Sequence, residues 1–164
     1  MKEKEIYLAG GCFWGVEEFF SQIDGVLQTE VGYADGICPQ TTYKDIKNTD
    51  HAETVYIKYD ADKVSLEKLL DCFFMIIDPT SVNRQGNDIG RQYRTAIYYA
   101  SESDLDIIKK RIQAEQSKYS KPIVTEVKKI NNFCLAEEYH QKYLKKNPGG
   151  YCHVDMSLLD KVRS

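Results

Sequence analysis

Ile6-Tyr7-Leu8-Ala9-Gly10-Gly11-Cys12-Phe13-Trp14-Gly15-Val16-Glu17-Glu18-Phe19-Phe20-Ser21-Gln22-Ile23 changes hydrophobic period within a few residues. Ile6 and Leu8 alternate with Tyr7, as a half-buried strand requires. Val16, Phe19, Phe20 and Ile23 then fall at i, i+3, i+4 and i+7, the stripe of an amphipathic helix, with Glu17, Glu18, Ser21 and Gln22 outside it. Cys12 stands at the junction. A helix N-terminus carries unpaired N–H groups and positive dipole, which favour an anion, so a lowered thiol pKa is expected there. A free cysteine is equally at home as a small buried hydrophobe. The preceding glycines weigh for a site, because they permit a tight turn and close backbone approach to a ligand. Trp14 lies off the apolar stripe, beside Glu18 and Ser21, which suggests a pocket wall.

Outward from this stretch, Asp24-Gly25 marks a turn, and Leu27, Thr29, Val31 and Tyr33 alternate as a second strand. Residues 34–52 read as a loop. Val55, Ile57 and Tyr59 alternate in a third strand over 53–59. Ser65 is a plausible N-cap for a helix whose Leu66, Leu69, Leu70, Phe73, Ile76 and Ile77 share one face, ended by Asp78-Pro79. A polar loop over 80–93 precedes a strand at 94–100, a helix around 102–118 and a strand at 123–130. A last helix is expected over 135–145, stopped by Asn147-Pro148-Gly149-Gly150. The order β-α-β-β-α-β-α-β-α predicts an α+β fold: a mixed, largely antiparallel sheet with packed helices, a two-layer ferredoxin-like sandwich. Residues 1–164 read as one domain, with 147–164 a mobile C-terminal tail.

The chain has 164 residues, enough for a real core. A net charge of −3 gives no electrostatic reason to expect nucleic acid or an anionic membrane. With no transmembrane run and no signal peptide, a cytoplasmic protein is expected. Cys12, Cys38, Cys72, Cys134 and Cys152 form no C-x-x-C pair, so reduced thiols are expected, with no metal and at most one catalytic pair. There are 12 Tyr against 6 Phe and 1 Trp, so some tyrosine hydroxyls are candidate donors in a site.

Glu53 shares the parity of Val55 and Ile57, hence their apolar face. A carboxyl there should have a raised pKa and could stay protonated near neutrality, although a strand-end Glu more often reaches into water. His51, of the same parity, could act as a base or be an ordinary loop histidine. The loop 83–94 is dense in polar side chains, and Tyr43 is a weaker signal still.

In order along the chain come Gly11-Cys12-Phe13-Trp14-Gly15, Gly32-Tyr33, Tyr43, His51-Ala52-Glu53, Asn87-Asp88-Ile89-Gly90-Arg91-Gln92-Tyr93-Arg94, Ala136-Glu137-Glu138-Tyr139-His140-Gln141 and Asn147-Pro148-Gly149-Gly150-Tyr151-Cys152. Together they resemble the A-type peptide methionine sulfoxide reductases, from about residue 5 to 153. The resemblance implies Cys12 as nucleophile, Phe13 and Trp14 as the wall receiving the sulfoxide methyl group, and Glu53 as the acid. It also implies that Tyr43 and Tyr93 hold the sulfoxide oxygen, that Asp88 orients the site and that Cys152 is the resolving thiol. The implied cycle reduces free or protein-bound methionine-S-sulfoxide through a Cys12 sulfenic acid and a Cys12–Cys152 disulfide. Thioredoxin is the implied reductant, no cofactor is needed, and a monomer is expected.

Two departures fall in the loop carrying Tyr43. Asp35 stands where the family usually has glycine, and Lys47-Asn48-Thr49-Asp50 replaces a stretch rich in Gly and Thr. No cysteine follows Cys152, so a single resolver is expected, and without a B-type domain the opposite epimer should not be a substrate. The competing readings are a thiol peroxidase or peroxide sensor, a thiol hydrolase pairing Cys12 with His51 or His140, and a non-catalytic binding module.

Overall fold

Four strands make the centre of the sheet: β1 (Glu3–Gly10), β2 (Val26–Ala34), β3 (Ala52–Asp60) and β6 (Thr95–Tyr99). The intervening short pieces β4 (Arg84–Gln85) and β5 (Asp88–Ile89) pair with each other as a separate hairpin. The structure, a computed structural model, describes residues 1–163. With β7 (Glu126–Lys129) and β8 (Phe133–Leu135), the main sheet runs in the order β7-β6-β1-β3-β2-β8. Helix α1 (Phe13–Ser21) connects β1 to β2, and α3 (Leu66–Ile76) connects β3 to β6. These two βαβ units interleave, so the four central strands lie antiparallel to one another at each pairing among them. The fold is thus the expected α+β sandwich with the ferredoxin-like strand order. It is mixed because β7 joins β6 in parallel after the crossover helix α4 (Leu105–Gln116).

Register explains which face is the core. Ile6 pairs with Ile57 and Tyr99, and Leu8 with Val55 and Ile97. Val31 pairs with Val55, and Tyr33 with Glu53. All of these side chains point to the face covered by α1 and α3, where Val16, Phe19, Phe20, Leu69, Leu70 and Phe73 are fully or almost fully buried. Non-directional apolar burial on this scale is the main stabiliser of such a sandwich. The opposite face carries small residues, Ala9, Ala34, Ala52 and Ala96, beneath Tyr7, Tyr98 and Phe133. Ser65 caps α3 as expected, accepting from the Lys68 N–H at 3.1 Å.

The expected helix over 135–145 is not there. Its place is taken by β8, a 3₁₀ turn at Glu138–His140 and the short helix α5 (Tyr143–Lys146). Side chains that a solvated helix would turn outward instead bond the sheet edge. Glu137 accepts from the Tyr33 hydroxyl at 2.8 Å and the Tyr43 N–H at 3.0 Å. Gln141 closes on the Val31 N–H and carbonyl at 3.0 and 2.8 Å. Lys142 takes a left-handed φ of 54° and reaches Glu17 and Thr29. Glu17, which the helical pattern puts outside the apolar stripe, is accordingly buried, accepting from Thr29 at 3.0 Å and the Lys142 N–H at 2.9 Å.

Both loops expected to carry site residues are anchored by one buried guanidinium. Arg94 donates to the carbonyls of Asp35, Asp50 and Arg91 at 3.1, 2.9 and 2.9 Å. Asp35 adopts a φ of 57°, the left-handed region in which glycine is at ease and Asp is tolerated. Its carboxylate lies 3.0 Å from Lys128 and 3.7 Å from Arg94, contacts a glycine would lack. The Lys47–Asp50 stretch forms the short helix α2 (Ile46–Thr49), closed by a left-handed Asp50 that holds Arg91 through two bonds of 2.6 and 3.0 Å. Sequence departs from the family at these two places while the backbone remains well bonded.

The C-terminal segment passes back over α1. Val154 and Leu159 are buried in the core, and the segment ends in α6 (Leu159–Arg163). No helix among the described residues is long and apolar enough to cross a membrane.

Candidate active site

The turn from β1 into α1 places Cys12 at the helix N-cap, 8 % exposed. Gly11 makes the turn with a φ of 88°, which an L side chain rarely adopts. The thiol pKa moves opposite to the expectation from helix position. Burial pushes it above the usual thiol range, with Glu53 and Asp88 adding to the rise against the pull of the Trp14 N–H. Helix N–H groups favour the thiolate, but loss of water costs it more. Burial thus favours the protonated thiol over the thiolate at Cys12.

Glu53 lies under that turn. It is 2 % exposed, and its Oε1 accepts the Phe13 N–H at 3.2 Å. Desolvation raises its pKa to about 8, with Asp88 contributing and the Phe13 N–H opposing. The period-two parity of β3 thus led to a neutral carboxyl, as expected. His51, two residues earlier, is fully buried with Nδ1 2.8 Å from the Thr49 hydroxyl, and its ring fills the space a Cβ on Gly36 would need. Those contacts make it a packing residue of the loop.

Tyr43 and Tyr93 arrive from the two loops. Burial raises both phenols, and the titratable groups of Glu53, Cys12 and Asp88 all lie close enough to each phenol to act on it. Tyr93 also senses Tyr43 directly. Asp88 reaches the same cluster from β5; its Oδ2 is buried without a hydrogen-bond partner, and its carboxylate lies close enough to the Tyr151 phenol to add to the rise that burial gives it. Cys152 is half-buried, its thiol donating to the Val154 carbonyl at 3.4 Å, and it lies near enough to Cys12 to raise that thiol. The structure therefore brings together all six residues expected around the reaction.

Phe13 and Trp14 form one wall. Phe13 is buried against Tyr33 and His140, with ring centroids 5.7 and 5.2 Å apart. Trp14 remains partly exposed, stacks on Tyr143 at 3.7 Å, and donates Nε1–H to His140 Nδ1 at 3.0 Å. His140 also lies 4.9 Å from the Tyr43 ring. Accepting at Nδ1 leaves the neutral ring its proton on Nε2, and burial lowers its pKa. His140 and Tyr143 thus set the wall, which the pattern of 135–145 did not reveal because it read as an ordinary helix. Beyond the motif segment that holds His140, their signal was aromatic density: Tyr139, His140 and Tyr143 within five residues.

A buried thiol, a neutral carboxyl and two phenols converging beside an aromatic wall form a site for attack on a polarised, acid-assisted leaving oxygen. Known proteins agree. Residues 4–163 match the family model of the peptide methionine sulfoxide reductases. A peptide methionine sulfoxide reductase MsrA from Clostridium botulinum (strain Hall) is 59 % identical over 155 residues, 93 % of this chain and 99 % of its own. Mxr1 of Saccharomyces cerevisiae in reduced form superposes with a TM-score of 0.87 at 41 % identity, covering 92 % of this chain and 89 % of that one. Mxr1 in complex with Trx2 superposes at 0.64 with 32 % identity, over 87 % and 85 % of the two chains. Architecture, site composition and sequence converge: the chain belongs to the peptide methionine sulfoxide reductase family.

Proposed function

We propose that the protein reduces methionine-S-sulfoxide, free or in proteins, to methionine, using Cys12 as nucleophile, Cys152 as resolver and thioredoxin as reductant. The observation that carries this reading is Glu53, a carboxyl kept neutral by burial directly beneath Cys12. Sulfoxide oxygen leaves poorly unless protonated. Glu53 supplies the proton, while the hydroxyls of Tyr43 and Tyr93 stabilise charge on the same oxygen. Cys12 becomes nucleophilic as its proton passes to the Glu53 carboxylate left by that transfer, and its sulfur attacks the substrate sulfur. The S–S bond made in the attack and the substrate S–O bond then break as the hydroxyl passes to Cys12, leaving a sulfenic acid and methionine, a two-electron exchange in which the substrate sulfur is reduced and Cys12 oxidised.

Stereochemistry follows from three directions fixed at one sulfur. Phe13 and Trp14 take the methyl group, the acid and phenols take the oxygen, and Cys12 attacks from a third side. Only one epimer satisfies all three. A peroxidase would need neither the aromatic wall nor the acid. With thioredoxin present, turnover of the S epimer and none of the R epimer is expected; turnover of hydrogen peroxide in preference to either would overturn the reading.

Cys152 acts in the second half of the cycle. The tail read over 147–164, whose Ser164 lies outside the described residues, begins with Asn147-Pro148-Gly149-Gly150 as its hinge and carries this thiol. The tail presents the disulfide to thioredoxin, whose dithiol restores both cysteines. The solved Mxr1–Trx2 pair supports such a partner. Cys152→Ser should release about one methionine per enzyme and then stall with a sulfenic acid on Cys12, because the first step needs only one thiol. Sustained thioredoxin-dependent turnover by this variant would remove Cys152 from the cycle. The reaction repairs oxidised proteins, and the expected setting is the cytoplasm.

A further inference from the structure

We infer that Gly15 is a positioning residue for the resolving step: its bare Cα on α1 forms the seat that parks the Cys152 sulfur about one helical turn from Cys12. The inference rests on reading Cys152 as the resolver.

A Cβ added at position 15 would stand 2.8 Å from Cys152 Sγ and 3.1 Å from Val154 Cγ2. Backbone conformation does not demand glycine there, since Gly15 lies within α1 and is absent from the residues of positive φ. Helix propensity argues against it, because alanine is preferred to glycine inside a helix. What remains is space for the tail. Neighbouring contacts hold that tail in the same place: His153 Nε2–H donates to the Gly10 carbonyl at 2.9 Å, and Val154 is buried. Three consecutive residues, Cys152, His153 and Val154, are thus seated along the β1–α1 turn.

The seat matters once Cys12 is oxidised. In the resolving reaction the S–O bond of the Cys12 sulfenic acid breaks, the Cys12–Cys152 S–S bond forms, and the Cys152 proton leaves with the hydroxyl as water. No further oxidant is required. A thiol already held beside the sulfenic acid makes this step effectively intramolecular and fast.

The test is Gly15→Ala, given stoichiometric methyl sulfoxide substrate without reductant and followed by rapid quench. Methionine release should stay within about twofold of wild type, because Cys12 and its partners are untouched. Disulfide formation should slow by about tenfold or more, with Cys12 sulfenic acid accumulating for capture by a sulfenic-specific reagent. A glycine with only a structural role predicts the reverse: a higher unfolding midpoint from the better helix former and an unchanged disulfide rate. That result overturns the inference. If Gly15→Ala does not fold, Val154→Ala loosens the same seat from the tail side and carries the same expectation, and a wild-type disulfide rate there overturns it equally. Peptide mapping of oxidised wild type separates the two levels, since a Cys12 disulfide to Cys38, Cys72 or Cys134 overturns the resolver reading and the seat with it.

Discussion

Cys12→Ser should lower sulfoxide reduction by on the order of 10⁴-fold or more, leaving no multiple-turnover activity under any reductant. A serine oxygen at the N-cap keeps the shape and the Trp14 N–H contact, and Ser is a better helix cap than Cys, so the fold should survive. The hydroxyl cannot accept the substrate oxygen as a sulfenic acid, and no other thiol substitutes. Cys72 is fully buried in α3, and Cys134 is buried on β8 with its Sγ 3.9 Å from the Thr41 carbonyl. The measurement is methionine produced per enzyme by the folded variant, with circular dichroism as the control. More than one equivalent of methionine from Cys12→Ser would dismantle the nucleophile assignment.

Glu53→Gln should slow the sulfoxide step by about 10²–10⁴-fold, the usual worth of a positioned general acid. The amide oxygen can still accept the Phe13 N–H, so shape is retained while the proton is not. The pH dependence gives a sharper reading. Glu53 rises from an ordinary 4.5 to about 8 on folding, so the acid is present at neutrality and is lost as pH rises through about 8. The single-turnover rate of wild type should therefore fall over that range, and the residual rate of Glu53→Gln should not follow it.

Stability moves by the same linkage. Between 4.5 and about 8 the folded protein keeps a proton that the unfolded chain has released. The stability contributed by Glu53 is full below that window and disappears as pH climbs through it. Glu53→Gln abolishes the decline, so it should become more stable than wild type on the alkaline side, as urea midpoints on both sides of the window will show. A variant that is slower yet more stable is the signature of a buried residue retained for chemistry. Equal single-turnover rates at neutral pH would exclude Glu53 as the acid.

The central fold was legible because its signals are local. Alternation at Ile6-Leu8, Val31-Tyr33 and Val55-Ile57 and the stripe Val16-Phe19-Phe20-Ile23 each lie within a few residues, and the interleaved units follow from their order. Glu53 was legible for the same reason, since parity alone put a carboxyl on an apolar face. Where local and distant effects compete, the distant one prevailed. Helix position argued for an acidic Cys12 thiol, but burial by segments far away in sequence reversed it. The segment 135–145 read as a last helix, yet Glu137, Gln141 and Lys142 find partners at Tyr33, Val31 and Thr29, more than a hundred residues earlier.

The strap from Glu137 to Lys142 separates two kinds of permanence in this enzyme. Cys12 and Glu53 are buried against the sandwich core, whereas the strap that carries His140 is tied on mainly by side-chain hydrogen bonds to β2. Segments held in that way open ahead of apolar cores as temperature rises. Warmth should thus blur recognition before it disables reactivity. The protein would pass through a regime of diminished selectivity in which the oxidisable thiol is still intact but the means of choosing its substrate has loosened.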